Sequence, residues 1–139
     1  MKNIRILLDG IKRRFRLRRI CKALKIKPSK WQASYALRKC STFPNDRRSG
    51  KTTAVVLRAL VEDAQTPKEI YDALQNDPDF GNTLHRQIYS YYQYCETAGI
   101  CRKAGVRVAE RITKQQFQQE ALCERRWNDS RCEGMRRYN

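Results

Sequence analysis

The sequence predicts a mostly α-helical (α+β) fold, in which one small domain follows a basic helical extension and precedes a short helix. Apolar residues recur at helical spacing in several stretches of the 139-residue chain, and one stretch near residue 105 has the turn chemistry of a short hairpin. Positive charge is concentrated in the first third. We expect four segments: a basic helical extension over 1–51, a domain over 52–112, a C-terminal helix over 113–127 and a disordered tail over 128–139.

The stretch from Thr66 to Ile112 predicts two helices joined by a turn. Thr66, Pro67 and Glu69 form a capping box with proline at the first helical position, which places a helix at residues 67–75. A polar run over 76–82 separates it from a second helix, which Gly99 would end as a C-terminal cap. The apolar positions of this second helix have spacings of four, three and four, so they are expected to face inward: Leu84, Ile88, Tyr91 and Cys95.

A β-hairpin is predicted directly after this second helix. Two short extended runs, Ile100–Lys103 and Val106–Ile112, flank Ala104-Gly105, and glycine supplies the positive φ that a tight turn needs. The order helix, turn, helix, hairpin resembles the winged helix-turn-helix superfamily, as does the passage YCETAGICRKAGVRV over 94–108. The resemblance implies a DNA-binding domain with a recognition helix in the major groove and the hairpin as a wing.

The outer face of the predicted recognition helix carries polar side chains suited to a nucleic-acid groove. Arginine pairs with guanine, glutamine with adenine, and serine or tyrosine with phosphates or base edges. An ordinary solvated polar face is the alternative explanation, and for the tyrosines the alternative is a place in the core and its rim. The predicted nucleic-acid-binding residues on this helix and around the hairpin turn are Arg86, Tyr89, Ser90, Gln93, Arg102, Lys103 and Arg107.

The charge distribution indicates a polyanionic partner. Residues 1–51 contain 17 Lys and Arg against two acidic residues, a net charge of +15, whereas residues 52–139 contain 13 against 12, a net charge of +1. Nucleic acid is the first candidate, DNA before RNA, and an anionic membrane is the second. The predicted phosphate contacts in the basic part are Arg13, Arg14, Arg16, Arg18, Arg19, Arg47, Arg48 and Lys51.

Residues 1–23 predict a basic amphipathic helix. Its apolar positions share one helical face: Ile4, Leu7, Leu8, Ile11 and Phe15. We expect this face to dock on the domain while the basic residues contact phosphates. An interfacial membrane helix is the alternative, which we consider less favoured because such faces usually carry tryptophan or more bulky apolar residues.

A second resemblance covers residues 31–53. Trp31-Gln32 and the run RRSGKTT over 47–53 resemble the adenine-reading glutamine and the phosphate loop that open the ATPase domains of helicases and phage terminase large subunits. The resemblance implies that Lys51 contacts phosphates and Thr52 holds magnesium. However, position 45 is Asn where the first glycine belongs, and no later apolar strand ends in an acidic residue. The alternative is that Ser49, Thr52 or Thr53 simply caps the next helix.

Two further helices are predicted around the central stretch. Residues 53–63 have apolar side chains almost all the way round, so this helix is expected to be buried on more than one side. Thr113 and Gln116 form a capping box that opens the last helix. Its apolar side, Phe117, Ala121 and Leu122, is expected to cover the sheet or to meet a second subunit in a homodimer.

Several function classes are disfavoured by composition. The six cysteines include no C-x-x-C pair and His85 is the only histidine, so we expect no metal site and no cofactor. Neither a signal peptide nor a transmembrane span is visible, so we expect a cytoplasmic protein. The predicted function is a non-enzymatic DNA-binding regulator encoded by a phage or mobile element. The alternatives are an anti-CRISPR-like inhibitor of a nucleic-acid-processing protein and a reduced phosphate-loop ATPase.

Overall fold

The computed structural model of the chain is helical. It describes residues 2–40, 42–44, 50–77, 84–109 and 112–123, except for the side chains of residues 2 and 84–86. The helices are α1 (Lys2–Leu24), α2 (Lys30–Ala36), α3 (Lys51–Val61), α4 (Pro67–Leu74), α5 (Leu84–Lys103) and α6 (114–123). The described ranges contain no β-strand. The mostly α part of the predicted fold class is therefore confirmed, and the described residues show no wing.

The core is built around α3, which packs against α1, α2, α4 and α5. The prediction that this helix is buried on more than one side is confirmed, since seven of its eleven side chains are buried. Burial of large aliphatic side chains is the main favourable term in folding, at about 25 cal/mol per Å² of apolar surface. The buried side chains of α3 are Ala54, Val55, Val56, Leu57, Ala59, Leu60 and Val61.

Side-chain caps start three of the helices. The predicted capping residue Thr66 accepts the N–H of Glu69 on its hydroxyl at 3.2 Å, and Thr113 accepts the N–H of Gln116 at 3.2 Å. A third capping box, between Ser29 and Gln32 at the start of α2, was not predicted. Each such cap satisfies backbone donors that a helix start leaves without partners.

The start of α3 differs from the predicted one. Its N-cap is Gly50, in the left-handed region at φ 79°, with no side-chain hydrogen bond. The predicted capping by Thr52 or Thr53 is wrong, because both residues lie within the first turn of the helix. The third candidate, Ser49, lies outside the described residues. Here a glycine backbone conformation starts the helix.

The end of α5 overturns the predicted hairpin. Gly99 lies inside the helix, so the prediction that it caps the helix is wrong, and so is the predicted strand Ile100–Lys103, which is the last turn of α5. The actual cap is Gly105, at φ 82°. The N–H of Val106 donates to the Cys101 carbonyl at 2.9 Å, which closes a Schellman motif. Positive φ at a glycine suits a hairpin turn and a helix cap equally well, and the sequence did not separate them.

The inward face of α5 is rotated from the predicted one by roughly 80° about the helix axis, at about 100° per residue. Of the predicted inward residues described here, Tyr91 is buried, whereas Ile88 and Cys95 are only half-buried. The buried face of α5 includes two polar side chains, Gln87 and Ser90, which an apolar pattern does not identify. Near the end of the helix it consists of small residues, Ala98 and Cys101. The buried positions are Gln87, Ser90, Tyr91, Tyr94, Ala98 and Cys101.

Helix α6 covers an aromatic cluster. Phe117 is fully buried and stacks on Tyr91, with ring centroids 4.9 Å apart, and contacts Tyr71 at 5.3 Å. The Tyr91 hydroxyl donates to the Ile112 carbonyl at 2.9 Å, which fixes the segment before α6. Since there is no sheet in the described ranges, this side of α6 packs on helices and not on the predicted sheet.

Helix α1 is packed in its second half only. Leu17, Ile20 and Cys21 are buried against α3 and α5. The apolar side chains of the first half share one face as predicted, but the prediction that this face docks on the domain is wrong, because they are 42–65% exposed. We call this face the α1 stripe, and it consists of Ile4, Leu7, Leu8, Ile11 and Phe15.

Candidate functional site

Arg16 connects α1 to two distant parts of the chain. Its Nε donates to the Leu60 carbonyl at 2.7 Å. Its Nη2 donates to the Asp63 carboxylate at 3.2 Å and to the Arg107 carbonyl at 2.8 Å. The Arg107 contact spans 91 residues of sequence. The planar guanidinium suits such a convergence because it offers five donors in a fixed geometry. Arg16, predicted to bind phosphate, has instead most of its donors engaged within the fold.

The contact at Arg16 joins two segments that carry exposed cations. At about 100° per residue, Lys12 and Arg19 lie on the same flank of α1 as Arg16, and both are exposed. Lys103 ends the helix that leads to Arg107, and both of these side chains are also exposed. We call these four exposed residues, two from each of the segments that Arg16 joins, the cationic surface. Lys12 belongs to the basic side of the predicted helix but is not among the predicted phosphate contacts, although its helical spacing marks it as a neighbour of Arg16 and Arg19.

Few of the described cationic side chains are neutralised by neighbours. The ion pairs in the described ranges are Arg16 with Asp63, and Arg38 and Arg58 with Glu62. Burial alone would raise the pKa of Glu62, but hydrogen bonds from both arginines outweigh it and hold that pKa below its ordinary value. The two acidic residues that follow α3, Glu62 and Asp63, are thus already engaged. The remaining exposed cations generate a positive field that favours a polyanion.

The remaining predicted arginines of α1 lie on other sides of the helix. Arg13 and Arg14 line a groove beside the α1 stripe together with Lys39, and Arg18 continues the line of the stripe toward the packed end. Arg102 is exposed, but its Nη2 donates to the Ala109 carbonyl at 2.8 Å. It therefore fastens the segment after α5 to the helix. Arg47 and Arg48 lie outside the described residues.

The predicted recognition face of α5 does not form one exposed surface. Tyr89 is 68% exposed, as predicted, but Ser90 is buried and its hydroxyl donates to the Asp77 carboxylate at 3.3 Å. Gln93 is half-buried, and its Nε2 donates to the Thr53 hydroxyl at 3.4 Å. The prediction that Ser90 faces a groove is wrong, because the rotated register turns it into the core. The side chain of Arg86 lies outside the described residues.

Asp77 is a buried carboxylate that the sequence analysis did not single out. It lies just after α4 and is only 3% exposed. Burying a carboxylate is costly unless hydrogen bonds compensate, so its contact with Ser90 explains why a serine occupies the inner face of α5. The signal available in the sequence was weak, since an aspartate in a polar turn is ordinarily solvated.

The segment that resembles a phosphate loop is only partly described. Lys51 opens α3 directly after Gly50, and the Gln32 side chain donates to the Gly50 carbonyl at 3.1 Å. The side-chain amide of Gln32 is therefore already hydrogen-bonded to the backbone. Residues 42–44 form no strand, and 45–49, including Asn45, lie outside the described residues. The described part therefore shows a helix start stabilised by a glutamine, without the strand that precedes such a loop in a parallel sheet.

The described ranges also contain a cavity, but they form no metal site. No group of three or more His, Cys, Asp or Glu side chains there is placed to hold a metal ion. An open cavity of about 430 Å³ lies along α5, and Tyr94 lines it. Burial raises the pKa of Tyr94 to about 12, so this phenol stays neutral at physiological pH. None of the helices in these ranges combines the length and apolar composition that crossing a bilayer requires.

Comparison with protein-family models, with curated proteins and with solved structures gives no match.

Proposed function

We propose that the chain is a non-enzymatic nucleic-acid-binding protein that holds double-stranded DNA through the cationic surface around Arg16. The observation that carries the proposal is the hydrogen bond from Arg16 to the Arg107 carbonyl, which joins two segments that lie 91 residues apart and carry exposed cations. Arg16 is held by three acceptors, and the exposed cations of the two joined segments are Lys12, Arg19, Lys103 and Arg107.

Contact with the phosphate backbone is the binding mode that these residues favour. Lysine and arginine side chains that neutralise phosphates release counterions, which gives affinity without reading the sequence. Recognition of bases by α5, within a helix-turn-helix unit as in the superfamily, remains a finer prediction. It would depend on Tyr89, Arg86 and Gln93, since Ser90 is buried.

The experiment measures the affinity of the protein for a fluorescently labelled DNA duplex by anisotropy, across a series of salt concentrations. Two double variants remove charge from each part of the surface: Lys12→Gln with Arg19→Gln, and Lys103→Gln with Arg107→Gln. If both residues of a pair contact phosphates, the slope of log affinity against log salt should become shallower by about 1.8, at about 0.9 per phosphate.

The matched control removes two exposed cations elsewhere, Lys68 on α4 and Lys114 on α6. Lys68→Gln with Lys114→Gln changes the net charge equally and should leave the slope within about half a unit. A control that flattens the slope as much as the test variants would mean that only net charge matters. Absence of DNA retention by the wild-type protein at low salt would reject direct binding and favour an inhibitor that occupies another protein's nucleic-acid channel.

A further inference from the structure

The α1 stripe faces away from the body of the protein. At about 100° per residue, the centre of the stripe lies about 140° around the helix axis from the face of Leu17, Ile20 and Cys21 that packs on α3 and α5. One straight helix cannot turn both faces toward the same body. The stripe is thus unsuited to closing onto its own domain.

Positive charge borders the stripe on both sides. Arg14 lies along one edge, Lys12 and Arg19 lie along the other, and Arg18 continues the line of the stripe toward the packed half. The one acidic residue of α1, Asp9, lies on the opposite side of the helix. An apolar strip edged by cations, with its acid turned away, is the pattern of a helix that lies in a membrane interface, where long basic side chains reach the headgroups.

A groove beside the stripe extends the same chemistry. It has a volume of about 270 Å³ and lies between the first half of α1 and the segment after α2. Its apolar wall includes Leu7, Ile11 and Leu37, and its basic rim includes Arg14 and Lys39. Apolar surface next to cations matches a ligand that combines acyl chains with negative charge.

We propose that the α1 stripe docks on the surface of an anionic lipid bilayer, with the first half of α1 parallel to the membrane plane. A second copy of the chain suits the stripe less well, because two such helices would bring their basic edges together and α1 offers only Asp9 to pair with them. Nucleic acid would engage the flanking cations but leave five apolar side chains in water.

The experiment is co-sedimentation of the full-length protein with vesicles of phosphatidylcholine alone or with about one third phosphatidylglycerol. The wild type should bind the anionic vesicles at least about tenfold more strongly than the neutral ones. The double variant Leu7→Gln with Ile11→Gln keeps the charge and removes apolar surface, so it should bind anionic vesicles about tenfold or more weakly. The matched control, Ile100→Gln with Leu122→Gln, changes two exposed apolar residues outside the stripe and should bind as the wild type.

Circular dichroism confirms that each variant is folded, and DNA retention and sedimentation velocity identify other occupants. Loss of vesicle binding by the Leu7/Ile11 variant supports the proposal if its DNA retention equals that of the wild type. This criterion also holds if the wild type retains no DNA. Equal vesicle binding by the Leu7/Ile11 variant and the wild type would overturn it, since adsorption would then need charge alone. Self-association or DNA affinity that disappears in that variant would assign the stripe to a second copy or to nucleic acid instead.

Discussion

Helix α3 and the first half of α1 both carry several large apolar side chains, but only α3 buries them. Four other helices pack around α3, whereas the side chains of the α1 stripe are 42–65% exposed, although Leu7 and Ile11 line a groove with Leu37. The difference shows that helical periodicity identifies side chains that can be buried together. It does not identify what will cover them.

Charge explains why the stripe stays uncovered. Docking it on the domain would bring Arg14, Arg18 and Arg19 against protein, and a desolvated cation needs an acidic partner. The neighbouring acids Glu62 and Asp63 are already engaged by other arginines. By contrast, the cations of α3 lie at its ends, where Arg58 pairs with Glu62 and packs over the Tyr35 ring at 4.7 Å.

The largest expected effect is on stability, and it distinguishes the buried Phe117 from the exposed Phe15. Phe117→Ala should lower the free energy of unfolding by about 3–5 kcal/mol, because it leaves a cavity between Tyr71 and Tyr91. Phe15→Ala, in the α1 stripe, should change it by less than about 0.5 kcal/mol. Urea unfolding followed by circular dichroism measures both. A large loss for Phe15→Ala would mean that the stripe is covered within the protein in solution.

A smaller effect is expected at the point that fastens α1 to the body. Arg16→Ala removes hydrogen bonds to Leu60, Asp63 and Arg107 and should cost about 1–3 kcal/mol in the same measurement. Arg18→Ala, an exposed arginine of the same helix, should stay within about 0.5 kcal/mol. If the two variants were equally stable, α1 would not be anchored through Arg16, and the two cationic segments would not share a surface.

The smallest effect concerns Glu62 and depends on pH. Its folded-state pKa lies below the ordinary value of 4.5, so its stabilisation is present above that value and is lost as the pH falls through the folded-state pKa. Glu62→Gln should therefore cost about 1 kcal/mol near neutral pH, with a difference from the wild type that shrinks in acid. Glu96→Gln, at an exposed site on α5, is the control. A pH-independent difference would point to lost packing and not to the ion pairs.

Local sequence signals were sufficient for most of the helices. The capping residues Thr66 and Thr113 and the all-round apolar pattern of α3 are properties of a few neighbouring residues, so they could be predicted. The same holds for the amphipathic pattern of α1. The ends of α1, α2 and α3 could not be predicted from a glycine in the sequence. The residues with the left-handed conformation there are Lys25, Arg38 and Asp63. Only the bonds and packing around them make that conformation favourable.

The sequence by itself determined the helical class, the basic N-terminal third and the apolar face of α1, because composition and periodicity are written in single segments. Tertiary structure alone decided the register of α5, where Asp77 draws Ser90 into the core, and the continuation of that helix through Gly99. It also decided that Arg16 joins α1 to Arg107. These outcomes depend on contacts between residues far apart in the chain, whose free energies exceed local propensities of less than about 1 kcal/mol per residue.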